Sequence, residues 1–198
     1  FNNVKVVQAD VMEVDLHQLI QDEFSGLDVL VCANLPYYIT SPVIMKLLEE
    51  KLPVESLTVM VQKEAAVRIC AAPGTRACGA VSVAVQYYSQ PQILFDVPRD
   101  CFFPAPNVDS AVIRLNIRKE PPVKLETEEK QFFKLVKAAF GQRRKTVLNS
   151  LNTGLGKSKE ELSAALQQAG IEPTARAEQL TMEQFGTLCN LLFPNKTK

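Results

Sequence analysis

Apolar residues follow two rhythms along the chain, and the change between them falls near residue 121. In the first part, short continuous apolar runs alternate with stretches at helical spacing. Val4–Ala9 runs up to Asp10, and Leu27–Ala33 runs up to Asn34. Runs of this kind predict parallel strands buried on both faces. Val43, Ile44, Leu47 and Leu48 recur at helical spacing and predict a helix over Ser41–Leu52, with Ser41 as N-cap and Pro42 in the first helical position. Leu57–Gln62 predicts another strand. Lys63–Ala72 predicts a helix closed by Pro73-Gly74. This alternation indicates an α/β doubly wound sheet.

The middle of the chain reads differently. Ala80–Tyr88 and Ser110–Ile117 are β-rich, and a loop holding Pro91, Pro98, Pro104 and Pro106 separates them. Two such strands after a parallel sheet predict antiparallel closing strands. Pro121-Pro122 breaks the chain, and the pattern after it is helical. Helices are predicted over Lys130–Phe140, Arg143–Leu151, Lys159–Ala169 and Met182–Leu192. Gly141, Gly154, Gly156 and the Gly170–Pro173 segment act as stops. The expected organisation is an α/β part over residues 1–121 and a small all-α part over 122–198.

Composition narrows the class. The 198 residues are 46% apolar and 22% charged, which is globular and not disordered. No apolar run approaches the roughly 20 residues of a membrane span. The chain opens at Phe1-Asn2-Asn3-Val4 without a signal peptide or an initiator Met, as a processed chain or a fragment does. Five cysteines without CxxC spacing fit a reducing compartment and buried apolar roles, so a cytoplasmic protein is expected. The single histidine, His17, has no partners in sequence for a zinc site or a triad, and no metal is expected. The net charge is zero but uneven: residues 1–121 hold 10 basic and 14 acidic side chains, residues 122–198 hold 12 and 8. A basic C-terminal segment points either to a polyanionic partner or to a solvated helical face.

The sharpest chemical signal is Asn34-Leu35-Pro36-Tyr37, directly after a predicted parallel strand. Ligands of open α/β sheets bind outside the carboxyl ends of their strands. An exocyclic amine is a poor nucleophile because its lone pair is delocalised into the ring. Two acceptors on its two hydrogens localise that pair. The Asn34 side-chain oxygen and the Leu35 carbonyl are candidate acceptors, and Pro36 biases Leu35 towards an extended conformation. Tyr37 offers an aromatic face for a flipped base, or for a cationic methyl group. The same four residues also suit an ordinary strand-to-helix turn. Asp10, at a predicted strand end, can accept from a cofactor's adenine amine. Phe102-Phe103-Pro104-Ala105-Pro106-Asn107-Val108-Asp109-Ser110 is a proline-held loop with two aromatics. One of them suits the second side of a base sandwich and the other a hydrophobic plug. Arg143, Arg144 and Lys145 open a predicted helix, where they suit phosphate contact with Gln142 as an auxiliary donor. Lys130, Lys134 and Lys137 share one face of the preceding helix. Gly156-Lys157-Ser158 resembles the end of a phosphate-binding loop but lacks its first glycine, since Leu occupies position 151.

Five segments in order resemble the ribosomal RNA adenine dimethyltransferase family, and within it the bacterial small-subunit branch. They are Asn34–Thr40, Met60–Ile69, Phe102–Leu115, Phe140–Leu151 and Arg176–Phe185. The resemblance implies a Rossmann-like methyltransferase domain followed by a helical RNA-binding domain. It implies transfer of methyl groups from S-adenosylmethionine, without metal, to two adjacent adenines near the 3′ end of small-subunit rRNA. The partner would be the immature small subunit, and the protein a monomer. Asn34, Leu35, Pro36, Tyr37 and Phe102 would hold the target base. Asp10, Val11 and Asn34 would touch the cofactor, and Arg143, Arg144 and Lys145 the RNA. The related large-subunit enzymes of macrolide resistance are a second reading, less favoured by the Leu of Asn-Leu-Pro-Tyr and by Asp109-Ser110-Ala111. DNA adenine methylation is weaker, because that class usually has a second proline before the aromatic. A non-catalytic RNA-binding or ribosome-assembly factor is a reading of a different class. The family's Gly-rich cofactor loop and its ribose-binding acid have no counterpart in these 198 residues. On the resemblance, the chain starts at the family's fourth strand and lacks roughly 90 residues, at about 30 per βαβ unit. It is therefore expected to lack most of the methionine and ribose pocket and to be inactive by itself.

Overall fold

The computed structural model describes residues 2–194. In chain order the elements are α1 (Leu16–Phe24), β1 (Leu30–Asn34), α2 (Thr40–Glu49), β2 (Ser56–Gln62), α3 (Lys63–Ile69), α4 (Ala80–Tyr88), β3 (Ser89–Val97), β4 (Ser110–Ile117), α5 (Glu129–Ala139), α6 (Val147–Leu155), α7 (Lys159–Gln168) and α8 (Met182–Leu192). The strands form one sheet in the order β1-β2-β4-β3. β1 runs parallel to β2, and β4 runs antiparallel to β2 and to β3. The mixed α/β class expected from the sequence is present; of the two antiparallel closing strands expected, Ser110–Ile117 is β4, whereas its antiparallel partner is β3 and not Ala80–Tyr88.

Two clusters of side chains make the core. In the first, Leu57, Val59 and Val61 of β2 and Ala111, Ile113 and Leu115 of β4 are fully buried beneath Val43, Ile44 and Leu47 of α2. In the second, Phe132, Leu135, Leu151, Leu162, Leu166 and Phe185 join α5, α6, α7 and α8. Each such side chain contributes about 1.5–3 kcal/mol by leaving water. α4 belongs to both clusters: Val83 and Tyr87 pack into the helical one and Val85 into the sheet one.

Several local expectations are corrected. Val4–Ala9 is not a strand. Val4, Val6 and Val7 are exposed, because no described strand pairs with this run and a lone apolar run has no ladder to join. β1 is half-exposed instead of buried on both faces, since it lies at the edge of the sheet. α2 starts at Thr40 without a side-chain cap, so Ser41 is not its N-cap and Pro42 stands in the third helical position. Proline is tolerated there because first-turn N–H groups have no partner within the helix. The β-rich Ala80–Tyr88 segment is helical. The Gly79 N–H donates to Ser82 Oγ at 2.8 Å, and that hydroxyl donates to the Arg68 carbonyl at 2.6 Å, which fixes the first turn. The loop around Pro91 contains β3, an edge strand in which the missing N–H of proline costs no ladder bond. α6 begins at Val147, where Thr146 Oγ1 accepts from the Asn149 N–H. Arg143, Arg144 and Lys145 therefore lie in the turn before the helix and not in its first turn. Cys70, Cys78 and Cys189 are buried or half-buried, and burial pushes their thiols up to about 11. Cys32 and Cys101, against expectation, are exposed.

One polar cluster ties the helical cluster to the sheet. Glu129, the first residue of α5, accepts from Tyr88 Oη at 2.7 Å, from Lys51 Nζ at 2.8 Å and from Tyr87 Oη at 3.4 Å. Desolvation alone would raise the Glu129 carboxyl, but the Lys51 and Tyr88 hydrogen bonds outweigh it and hold it below the usual glutamate range. Burial pushes Tyr87 up to about 12. A depressed carboxylate stabilises the fold above the unfolded value of about 4.3, and the contribution is lost as pH falls through the folded value. Glu129→Ala is expected to cost about 1–3 kcal/mol near neutrality and to flatten the acid limb of stability against pH. Urea melts at pH 7 and below 4 measure both.

Candidate functional site

The register places the ends of β1, β2 and β3 and the start of β4 on one edge of the sheet. Asn34 pairs with Met60, Gln62 with Ser110, and Val97 with Ser110. That edge is the carboxyl end of the parallel pair, where ligands bind in open α/β sheets. Asn34 is the last residue of β1 and is exposed, whereas Leu35 behind it is buried. Pro36 has φ −57° and ψ 133°, so the chain leaves the strand extended before a 3-10 turn over Tyr37–Ile39. Tyr37 is half-buried, and its hydroxyl shares a hydrogen bond of 2.7 Å with Ser110 Oγ, 73 residues away.

The loop between β3 and β4 returns to the same edge. Its base is closed by Asp109, whose Oδ1 accepts from the Arg99 N–H at 3.0 Å and whose carbonyl accepts from the Lys63 N–H at 3.0 Å. The Phe102 N–H donates to the Arg99 carbonyl at 3.3 Å, and Phe102 is half-buried. Phe103 is fully exposed and plugs nothing, so of the two aromatics only Phe102 is even partly buried. Two arms, Asn34–Tyr37 and the Phe102 loop, thus meet at the start of β4. These arms carry an exposed amide at Asn34 and half-buried aromatic side chains at Tyr37 and Phe102.

Asp10 does not close a strand. It sits exposed in a turn, its Oδ1 accepting from the Met12 N–H at 2.8 Å and its carbonyl from the Glu13 and Val14 N–H groups. Val11 is half-buried against the sheet cluster. Among the described residues, nothing supplies a Gly-rich turn or a ribose-binding acid beside them.

A cleft of about 900 Å³ opens between α3–α4 and the α5–α6 turn. Lys63, Arg68 and Arg76 face it from one side, Arg143 and Lys145 from the other, with Glu64 and Glu178 as its acids. Arg144 is exposed outside the cleft. Sequence reasoning found the second wall from its run of three cations. It missed Arg68 and Arg76, which stand alone in sequence. It also quoted Ser110 without a role. His17 is exposed and donates from Nε2 to the Glu50 carbonyl at 2.8 Å, away from the site edge. Gly156 has φ +66° and closes α6, and Ser158 caps α7, so the Gly-Lys-Ser run is a helix–helix connection.

Comparison with known proteins identifies the chain. A family model described as ribosomal RNA adenine dimethylase matches residues 1–193. The ribosomal RNA small subunit methyltransferase A of Geobacillus sp. strain WCH70 is 50% identical over 196 residues, which is 97% of this chain and 67% of the relative. Its namesake from Alkaliphilus metalliredigens is 53% identical over 189 residues, 95% of this chain and 66% of the relative. In fold, the chain is similar to a dimethyladenosine transferase from Plasmodium falciparum, with a TM-score of 0.73 at 24% identity over 95% of this chain and 72% of the other. It is also similar to the 23S rRNA methyltransferase ErmE, with a TM-score of 0.64 at 25% identity over 96% and 72%. The fold is that of an rRNA methyltransferase. The chain belongs to the ribosomal RNA adenine dimethylase family, whose members are S-adenosylmethionine-dependent rRNA adenine N6,N6-dimethyltransferases. It spans about two thirds of the length of these curated relatives.

Proposed function

We propose that this chain carries the target-base pocket and the RNA-binding surface of an enzyme that dimethylates two adjacent adenines near the 3′ end of small-subunit rRNA. The supporting observation is the meeting of Asn34–Tyr37 with the Phe102 loop at the carboxyl edge of β1 and β2. Residues 1–121 form the methyltransferase part and residues 122–198 the RNA-binding part. The protein works as a cytoplasmic monomer on the immature small subunit. Among the described residues, no helix is long and apolar enough to cross a membrane, and no group of His, Cys, Asp and Glu could hold a metal ion.

The chemistry follows from the amine. Asn34 Oδ1 and the Leu35 carbonyl accept its two hydrogens, which turns the nitrogen lone pair out of conjugation. Tyr37 and Phe102 stack on the flipped ring and hold it still. Asp10, Val11 and Asn34 would hold the adenine end of S-adenosylmethionine, whose sulfonium would supply the methyl group as the sulfur–carbon bond breaks and its electron pair stays on sulfur, leaving a neutral thioether. The amine nitrogen is a neutral nucleophile, so no side chain need take a proton before transfer. The proton becomes acidic only on the methylated cationic nitrogen, from which water removes it. The protein's contribution is therefore positioning and electrostatics.

The test is incubation of a protein extended at its N-terminus to the relatives' length with small-subunit precursors or with large-subunit rRNA. Mass spectrometry of digested RNA then locates dimethyladenosine. Label only in large-subunit rRNA would favour the macrolide-resistance reading, which the small-subunit relatives at about 50% identity oppose.

The basic cleft, through Arg143, and the turn beside it, through Arg144, have their own expected outcome. Arg143→Ala and Arg144→Ala should each weaken RNA binding and lower the slope of log affinity against log salt by about 0.7–0.9. Filter-binding titrations at several salt concentrations measure it. An unchanged slope for both variants would make these arginines structural.

A further inference from the structure

One serine stands at the junction of both aromatic arms, and no part of the mechanism above uses it. Ser110 is the first residue of β4 and is fully buried. Its backbone is pinned on both sides, by Gln62 of β2 and by Val97 of β3. It therefore sits on the most rigid part of the site edge. Its hydroxyl shares the 2.7 Å hydrogen bond with Tyr37 Oη.

The topology gives that bond its meaning. Tyr37 follows β1, and Ser110 begins β4, with β2 between them. Two strand spacings separate the backbones, about 9–10 Å. The tyrosine side chain must therefore lie across the end of β2 to reach the serine. A tyrosine on a turn beside an exposed Asn34 would otherwise be free to rotate about two side-chain torsions. Its hydroxyl, fixed on a buried partner, leaves the ring one orientation. Asp109, the neighbour of Ser110, closes the Phe102 loop through its bond to the Arg99 N–H. Two consecutive residues thus fasten the two arms to one strand end.

We propose that Ser110 is a positioning residue for methyl transfer: its hydroxyl fixes the plane of the Tyr37 ring against which the target base stacks. The inference rests on the base-methylation reading, with Tyr37 as the stacking face. Phosphate contacts dominate RNA affinity, so loss of the Ser110 bond acts on the rate of the bound complex and not on its formation.

The experiment is a double-mutant cycle in the N-terminally extended protein, with single-turnover methylation and RNA affinity measured for each variant. Ser110→Ala and Tyr37→Phe each break the same bond, and Tyr37→Phe keeps the ring. Each is expected to lower the methylation rate about tenfold, the equivalent of one net hydrogen bond, with RNA affinity changed less than about twofold. The double variant is expected to be no slower than either single one. Tyr37→Ala, which also removes the stacking face, should be slower than all three. Rates that multiply in the double variant, or a Tyr37→Phe rate equal to that of the parent, would overturn the proposal. Tyr37→Phe decides the matter even if Ser110→Ala lowers the melting temperature. An unmutated protein that labels no rRNA adenine would instead refute the functional reading on which the cycle stands.

Discussion

Asn34→Ala is expected to lower kcat by roughly 10²–10³, as removal of a single transition-state hydrogen-bond partner does. Asn34 ends β1 at the carboxyl edge, exposed, with the extended Pro36 behind it. On the proposed function its oxygen would accept a weakly polar N–H in the ground state. As the nitrogen attacks, it gains positive charge, the N–H becomes a far better donor, and the bond strengthens. The loss therefore falls on the transition state and appears in kcat. On the proposed function KM for RNA should hardly move, because phosphate contacts dominate RNA affinity and Asn34 makes none. Single-turnover methylation by the extended protein measures the first quantity, and RNA titration the second. An equal rise in KM with kcat intact would mean that Asn34 only binds substrate.

S-adenosylmethionine is expected to bind the 198-residue chain at least about a hundredfold more weakly than the same chain extended to the relatives' length. The family resemblance assigns the methionine moiety to a Gly-rich turn and the ribose to a carboxylate, and neither is in this sequence. Hydrogen bonds to a charged group contribute about 1.5–3 kcal/mol each, and a hundredfold in affinity is about 2.7 kcal/mol, so loss of the ribose contacts alone reaches it. Asp10 cannot compensate. It lies in an exposed turn with one carboxylate oxygen committed to the Met12 N–H. Calorimetry on the two proteins gives the comparison. Comparable affinities would show that Asp10, Val11 and Asn34 suffice. Absence of binding to both would favour a non-catalytic RNA-binding factor.

The sequence was most readable where local chemistry decides local structure. Met182–Leu192 is helical over the span its periodicity marks out, and Thr181 caps it. β2 and β4 lie where their apolar runs place them, and Asn34 falls at a strand end as expected. Reading failed where a distant partner decides. α4 carries Val81, Val83 and Val85 in alternation, which imitates a strand. It is buried towards two clusters and so lacks the polar stripe that would reveal a helix. β3 was hidden by Pro91, which only an edge position makes harmless. Asp10 lost its strand because no described neighbour pairs with Val4–Ala9. In the site, residue types on one strand end were legible, whereas the Tyr37–Ser110 bond and the facing of Arg68 and Arg76 towards Arg143 exist only in three dimensions.

The double membership of α4 bears on how the molecule comes apart. A boundary at residue 121 drawn from the change of apolar periodicity and Pro121-Pro122 separates two stretches of chain, but α4 lies on the N-terminal side of it and supplies Val83 and Tyr87 to the helical cluster. Melting the helical bundle would strip that face of α4 while Val85 still anchors the helix to the sheet. Neither cluster can disassemble without exposing apolar surface of the other, so heat and denaturant should reveal one cooperative transition spanning both. Cleavage at Pro121-Pro122 would sever a single folding unit into two mutually dependent pieces, and complementation of the pieces in solution would follow from the same shared helix.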